Sequence, residues 1–187
     1  MSLKVGTNEV RFSFPHVFEP HAVEEGDKEK YSIMILIPKS DKATMKKLRE
    51  AEKAAAEKGV ATVWGGKRPK KIASIIKDGD DEEETDLEEY PERAGHYYMN
   101  VRTDRKPQVV GPDVQPIMDR EEIYSGCYGR VSINAFPYDY AGKKGVSFGL
   151  NNVQKTADGE SLAGGSSAED DFDVFEVDED EDFDALI

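Results

Sequence analysis

The chain has 187 residues, enough for one domain of ordinary size and too few for two comfortable ones. Its formal net charge of -14 argues at first sight against a nucleic-acid partner, and its single cysteine, Cys127, excludes an intramolecular disulfide. No apolar run approaches the roughly 20 residues of a membrane span and no basic-then-apolar leader opens the chain, so a soluble cytoplasmic protein with no membrane partner is expected.

In chain order, residues 10–14 alternate apolar and polar, which predicts a strand that Pro15 should end. Residues 31–37 are β-branched and almost wholly apolar, the pattern of a strand buried on both faces, and Pro38 follows it. A helix is expected over 42–58, capped by Ser40 or Asp41, with Gly59 at the C-terminal cap position. Its apolar stripe is Met45, Leu48, Ala51 and Ala55, so one face packs and the other is solvated. A basic window follows, with Trp64 and then Lys67, Arg68, Lys70 and Lys71. Short strands are expected at 73–76 and 97–103, and a short helix at 120–124, capped by Asp119 with Glu122 completing a capping box. The clearest alternation runs over 127–136, and a turn on residues 139–142 leads to a strand at 145–150.

Two segments stand apart by composition. Residues 78–92 hold 10 acids and no base, a loop long for a compact domain and therefore functional or mobile, best read as solvated. From about Lys155 the chain turns Gly, Ser and acid rich, too poor in apolar surface to offset the entropy of ordering, so a disordered tail is expected. These boundaries divide the chain into a binding domain over 1–155 and an acidic tail over 156–187. The tail holds 13 of the 39 acids and neither Lys nor Arg, leaving 26 acids against 25 bases in the rest. Without the 78–92 block as well, the framework carries 9 excess positive charges. A basic body with two acidic appendages suits a polyanionic partner where the overall total does not.

Five or six short strands and one solid helix indicate a mainly β fold, a small barrel closed on itself with a helix covering part of it. The chain lacks a βαβ rhythm and a Gly-rich turn between strand and helix, so a doubly wound sheet is excluded. It also lacks G-x-S-x-G, H-E-x-x-H and a complete phosphate loop; Gly65-Gly66-Lys67 has neither the first Gly nor a following Ser or Thr. His16, His21 and His96 lie far apart in sequence, and Asp78-Gly79-Asp80-Asp81 does not continue as a calcium loop. No enzyme activity, metal or cofactor is expected. A hydrolase using the 78–92 carboxylates and a metal has little support.

Single-strand binding needs cations for phosphates and aromatic faces on which bases stack. If Val131, Ile133 and Ala135 face inward, alternation turns Tyr128, Arg130, Ser132, Asn134 and Phe136 outward. The same logic turns Tyr98, Asn100 and Arg102 outward from 97–103. Each strand thus presents an aromatic followed two residues later by an arginine, a stacking ring beside a phosphate contact. The alternative is that these tyrosines cover a second small core. Lys67, Arg68, Lys70 and Lys71 offer backbone contacts, with Trp64 either a stacking ring or a core ring; Arg105, Lys106, Lys143 and Lys144 at strand ends are placed to line the same groove. In the tail, Phe172, Phe175, Phe183, Leu186 and Ile187 punctuate the acidic run. Such a tail suits two jobs, lying in the protein's own basic groove and docking into basic-rimmed apolar pockets of partners.

The chain resembles bacteriophage single-stranded-DNA-binding proteins with an oligonucleotide-binding (OB) fold, a family first catalogued as a domain of unknown function. The resemblance covers most of 10–165. It rests on Lys30-Tyr31-Ser32, Pro38-Lys39-Ser40-Asp41, Asp78-Gly79-Asp80, Gly95-His96-Tyr97-Tyr98, Glu122 through Tyr128, Gly149-Leu150-Asn151-Asn152-Val153-Gln154-Lys155 and Asp158-Gly159-Glu160. It implies an OB barrel, sequence-tolerant binding of single-stranded DNA, and a role in phage replication or recombination inside an infected bacterium. Replication or recombination proteins are then the expected partners of the tail, and the protein is expected as a monomer or dimer. The rival reading is an acidic nucleic-acid mimic or adaptor that binds an enzyme of host or phage, with the barrel as scaffold.

Overall fold

A computed structural model describes residues 3–22, 24–163 and 168–175. The strands are β1 (Lys4–Gly6), β2 (Val10–His21), β3 (Lys30–Pro38), β4 (Ala73–Ser74), β5 (Lys77–Asp78), β6 (His96–Thr103), β7 (Gln108–Val110), β8 (Tyr128–Tyr140) and β9 (Lys143–Ala157). β8 pairs with β2, β2 with β3, β3 with β6, β6 with β9, and β9 with β8 again, so five strands close a barrel. The closing contact between β6 and β9 is parallel and pairs Arg102 with Gly149. β1 lies along β8, β4 and β7 along β9, and β5 along β6. The expected OB-type architecture is what forms, with small edge strands β1, β5 and β7 that sequence patterning does not reveal, while β4 falls within the strand expected at 73–76.

The inward residues are those that alternation selects. Val131, Ile133 and Ala135 of β8 meet Phe148, Leu150 and Val153 of β9, and Ile33, Ile35 and Ile37 of β3 meet Met99 and Val101 of β6. β3 is buried on both faces over most of its length, as its composition requires. A long helix, α1 (Lys42–Ala61), lays Leu48, Ala51 and Ala55 on this core. Asp41 caps it: Oδ1 accepts from the Thr44 amide at 3.1 Å and from Asn8 Nδ2 at 3.1 Å.

Several local expectations change. Gly59 does not end α1, which runs on to Ala61. Its role is close approach, because a Cβ there would stand 2.8 Å from Pro137 Cβ and 2.9 Å from the Trp64 ring. Pro15 does not end β2 either; the strand passes through it at a register shift between Ser13 and His16, where Phe14 takes φ 45°. A proline has no N–H to give to a ladder, and such an irregularity is where a strand tolerates it. The expected short helix is one 3-10 turn, Arg120–Glu122, with Asp119 accepting from the Glu121 amide. β8 and β9 are longer than expected and turn on two residues, Ala141 and Gly142, both at positive φ, a geometry that matches the twist of a tight hairpin.

The acidic segment 78–92 keeps most of its carboxylates exposed, as a solvated loop would, but a few of its groups tie it to the barrel. Lys39 Nζ donates to Asp78 and Asp80, each at 2.7 Å, and Asp80 accepts from the Gly95 amide. Thr85 is 4% exposed, and its hydroxyl donates to the Asp78 carbonyl. The segment is a folded lid over the outer face of β3 and β6, and Arg93 beneath it stacks on Tyr90 at 3.8 Å and Tyr98 at 4.5 Å.

β9 carries the barrel two residues past Lys155, and 158–163 still packs on it. The Leu162 amide donates to the Ser125 carbonyl at 2.8 Å, Arg11 Nη2 donates to the Glu160 carbonyl at 2.7 Å, and Lys155 pairs with Asp158 at 2.6 Å. Beyond this, Ala168–Asp171 forms one helical turn, and Phe172 and Phe175 stand exposed. Phe183, Leu186 and Ile187 lie outside the described residues. Among the described residues no helix is long and apolar enough to cross a membrane.

Candidate nucleic-acid interface

The barrel wall outside β3, β6 and the β8–β9 hairpin carries two grooves. The first, about 480 Å3, gathers Lys28, Lys30 and Arg102 with one acid, Asp27, and with His21 and Tyr140. The second, about 270 Å3, passes Met34, Lys77, Asn100, Arg102, Tyr138 and Lys143. Arg102 lines both, so the two grooves adjoin at its side chain. Cross-strand pairing explains its position: β6 sets Arg102 between Ser32 of β3 and Gly149 of β9, with the Arg102 and Ser32 side chains on the outer face. Phe136, 45% exposed, lies beside this point, since a Cβ on Gly149 would be 3.7 Å from its ring and 3.9 Å from the Arg102 carbonyl. The absence of a side chain at Gly149 leaves that ring face free. Lys28 and Lys30 share one acid, Asp104, at 3.2 and 4.0 Å.

Of the residues expected at the site, Arg102, Phe136 and Lys143 are brought together here. Lys67, Arg68, Lys70 and Lys71 are exposed on the segment leading into β4, which pairs with Gly145 and Val146 of the hairpin, so they extend the basic margin on the Lys143 side. Lys144 is opposite Asp139 and partly covered. Arg105 and Lys106 line a separate polar groove of about 430 Å3 with Lys4, Asn134, Asn151 and Asn152. Three cations, four side-chain amides (Gln108, Asn134, Asn151 and Asn152) and no carboxylate make it a second lane suited to phosphate.

Two expected stacking rings are corrected. Tyr98 does point outward, but the lid covers it: it is 3% exposed, its hydroxyl donates to the Glu84 carbonyl at 2.8 Å, and the Thr85 hydroxyl lies 2.9 Å from it. Trp64 is 4% exposed and donates its indole N–H to the Tyr138 carbonyl at 3.0 Å, so it is a core ring. Neither offers a face to a base. Tyr128 and Arg130 do not adjoin Arg102. Tyr128 is held between the Arg11 guanidinium, 5.5 Å from its centroid, and Gly159, while Arg130 Nε donates to the Thr7 carbonyl at 2.8 Å. Eight residues of strand separate Tyr128 from Phe136, about 26 Å. The paired platform of an aromatic and an arginine on each strand therefore does not form.

Sequence reasoning missed Lys28, Lys30, Lys77, Tyr138 and Tyr140. The available signal was Tyr140, an aromatic at the tip of a tight hairpin followed at once by Lys143; it is 79% exposed. Electrostatics follow the same layout. Hydrogen bonds from Lys39 hold Asp78 and Asp80 below the usual carboxylate range and push the Lys39 ammonium up, so the lid is ionised and locked at neutral pH. Burial, then the charge of His21 stacked on it at 4.1 Å, lowers His16. Burial raises the Cys127 thiol, which removes it as a reactive group. Among the described residues no three His, Cys, Asp or Glu side chains are grouped to hold a metal ion.

The geometry has relatives. A family model described as Enterobacter phage Enc34, ssDNA-binding protein, matches residues 3–184. A curated relative, putative protein p50 of Acyrthosiphon pisum secondary endosymbiont phage 1, is 33% identical over 184 residues, spanning 96% of this chain and 97% of that protein. The single-stranded DNA-binding protein from bacteriophage Enc34 in complex with ssDNA superposes with TM-score 0.73 at 27% identity, over 86% of this chain and 90% of that one. Gp2.5, a single-stranded DNA-binding protein encoded by bacteriophage T7, shares the fold at TM-score 0.61 and 13% identity, over 91% and 93% of the chains.

Proposed function

The chain belongs to the family of the Enterobacter phage Enc34 ssDNA-binding protein, and from that membership we propose that it binds single-stranded DNA along the Arg102 groove, with sequence-tolerant contacts. The observation that carries this reading is the gathering of cations and rings around Arg102: Lys28, Lys30, Arg102, Lys77 and Lys143 for phosphates, and for bases the exposed Tyr140, the half-buried Tyr138 and the exposed Phe136 beside the groove. Arg105 and Lys106 extend the cationic surface, and Lys67, Arg68, Lys70 and Lys71 widen its margin. The protein acts as a binder rather than a catalyst, in the cytoplasm of an infected bacterium, protecting strands exposed during phage replication or recombination. Its acidic tail competes for the groove when DNA is absent and recruits replication or recombination proteins when DNA has displaced it.

The test is retardation of oligo-dT against duplex DNA, with the full chain and with a chain ending at Ala163. That end point keeps 158–163, which packs on the barrel. Retention of oligo-dT, tighter in the shortened chain, is the expected result. Failure of the shortened chain to retard either nucleic acid overturns it and favours an acidic adaptor. Since Trp64 is buried, the binding signal is labelled-DNA anisotropy rather than quenching of the indole.

A further inference from the structure

A third groove, of about 520 Å3, lies beside the Arg105–Lys106 lane and differs from it in chemistry. Phe18, Pro116, Ile117 and Met118 make it apolar, and Lys106 and Arg120 stand at its rim. It is built rather than incidental. β7 and Pro116 bridge across it, the Ile117 amide donates to the Val109 carbonyl at 2.9 Å, and Gln154 Nε2 reaches the Gly111 and Pro112 carbonyls, each at 3.3 Å. Met118 is 87% exposed at its edge. Arg120 also pairs with Glu19, both side chains lying largely in solvent.

We infer that this groove is the dock of the protein's own segment Phe172-Asp173-Val174-Phe175. Three observations select that occupant. The segment is the most exposed apolar stretch described, with Phe172 74%, Val174 90% and Phe175 88% exposed. Its rings are flanked by acids, Asp171, Asp173 and Glu176, against a rim of Lys106 and Arg120. It is also within reach. The tail leaves the barrel where the Leu162 amide meets the Ser125 carbonyl, five residues from Arg120, at most about 18 Å of chain, and ten residues from Leu162 to Phe172 span up to about 33 Å. Because Lys106 lines both this groove and the Arg105 lane, a docked tail places its carboxylates at the edge of the DNA surface. The inference rests on the reading that the tail competes with DNA and names where it is anchored.

The test uses the full chain labelled with 13C-methyl methionine, with Met118 assigned through M118L. The chain has five methionines, so the spectrum is simple. Docked rings shift the Met118 methyl by ring current, and the F172S/F175S variant should move that resonance to the position seen in a chain ending at Ala163. An identical Met118 resonance in wild type and variant overturns the dock. A shift that vanishes on tenfold dilution overturns it as an intramolecular contact and assigns the groove to a second copy's tail. Oligo-dT affinity of the same proteins separates the two readings. A moved methyl with unchanged affinity keeps the dock and removes competition, whereas several-fold tighter DNA binding with an unmoved methyl keeps competition and removes the dock.

Discussion

Arg102 and Phe136 are neighbours across Gly149, yet they serve binding differently and are separable by salt. Arg102→Ala removes a cation that releases counterions on contact with phosphate, so the slope of log K against log salt should shrink by about 0.7 for a single strand. Phe136→Ala removes a stacking face and should cost about 1–3 kcal/mol at every salt concentration, leaving the slope unchanged. Anisotropy titrations with oligo-dT at four salt concentrations distinguish them; parallel losses in both variants would show that the ring only supports the arginine. Alternation found both residues because facing is a property of a single strand. It placed Tyr98 on the same face correctly and still misjudged it, since the Thr85 and Glu84 groups that enclose its hydroxyl come from a loop thirteen residues upstream with no periodicity to read. Trp64 failed for a related reason: its burial depends on Gly59 and Pro137, which sequence spacing does not bring together.

At the scale of elements, propensity and packing disagree at Gly59, and packing should win. Glycine inside a helix normally costs about 1 kcal/mol relative to alanine, so Gly59→Ala would ordinarily stabilise. Here the new methyl meets Pro137 at 2.8 Å and the Trp64 ring at 2.9 Å, so the variant should be less stable than wild type in a denaturant titration, and a raised midpoint would show that Trp64 moves freely. The lid makes a pH prediction. Asp78 and Asp80 are held below the ordinary carboxylate range by hydrogen bonds from Lys39, so their contribution is complete above that range and is lost as pH falls through their folded values. Lys39 is raised, so its contribution is complete below the ordinary lysine value and lost only as pH climbs past the folded one. The lid should therefore be closed throughout the neutral range and open in acid, read from the Tyr98 ring resonances. Lys39→Met should give at pH 7 the spectrum that wild type gives only in acid. Helix and strands were legible because their periodicities are long; their ends were not, because Pro15, Gly59 and Lys155 are interpreted by contacts that no periodicity encodes: the β3 register, the Pro137 and Trp64 rings, and Asp158.

For the whole molecule, the partition of charge is the feature that a net value of -14 conceals. Cations line the barrel's grooves, Asp78 and Asp80 of one acidic block hold the lid to Lys39, and 13 of the 39 acids lie on the tail. A tail tethered to the barrel and a free DNA strand both reach the cations through screened Coulomb attraction, but they scale differently with salt. On the proposed competition, DNA at low salt must displace the tethered carboxylates, so the full chain should bind oligo-dT more weakly than the chain ending at Ala163. Raising salt weakens the tail's hold along with the DNA contacts, and the Debye length falls from about 30 Å at 0.01 M to about 8 Å at 0.15 M. The affinities of the two chains should therefore converge as salt rises, with the steeper salt slope belonging to the shortened chain. A constant affinity ratio between 0.01 and 0.15 M would mean that the tail hinders DNA through its apolar anchor alone, not through charge. That outcome would leave the groove's electrostatics to DNA only.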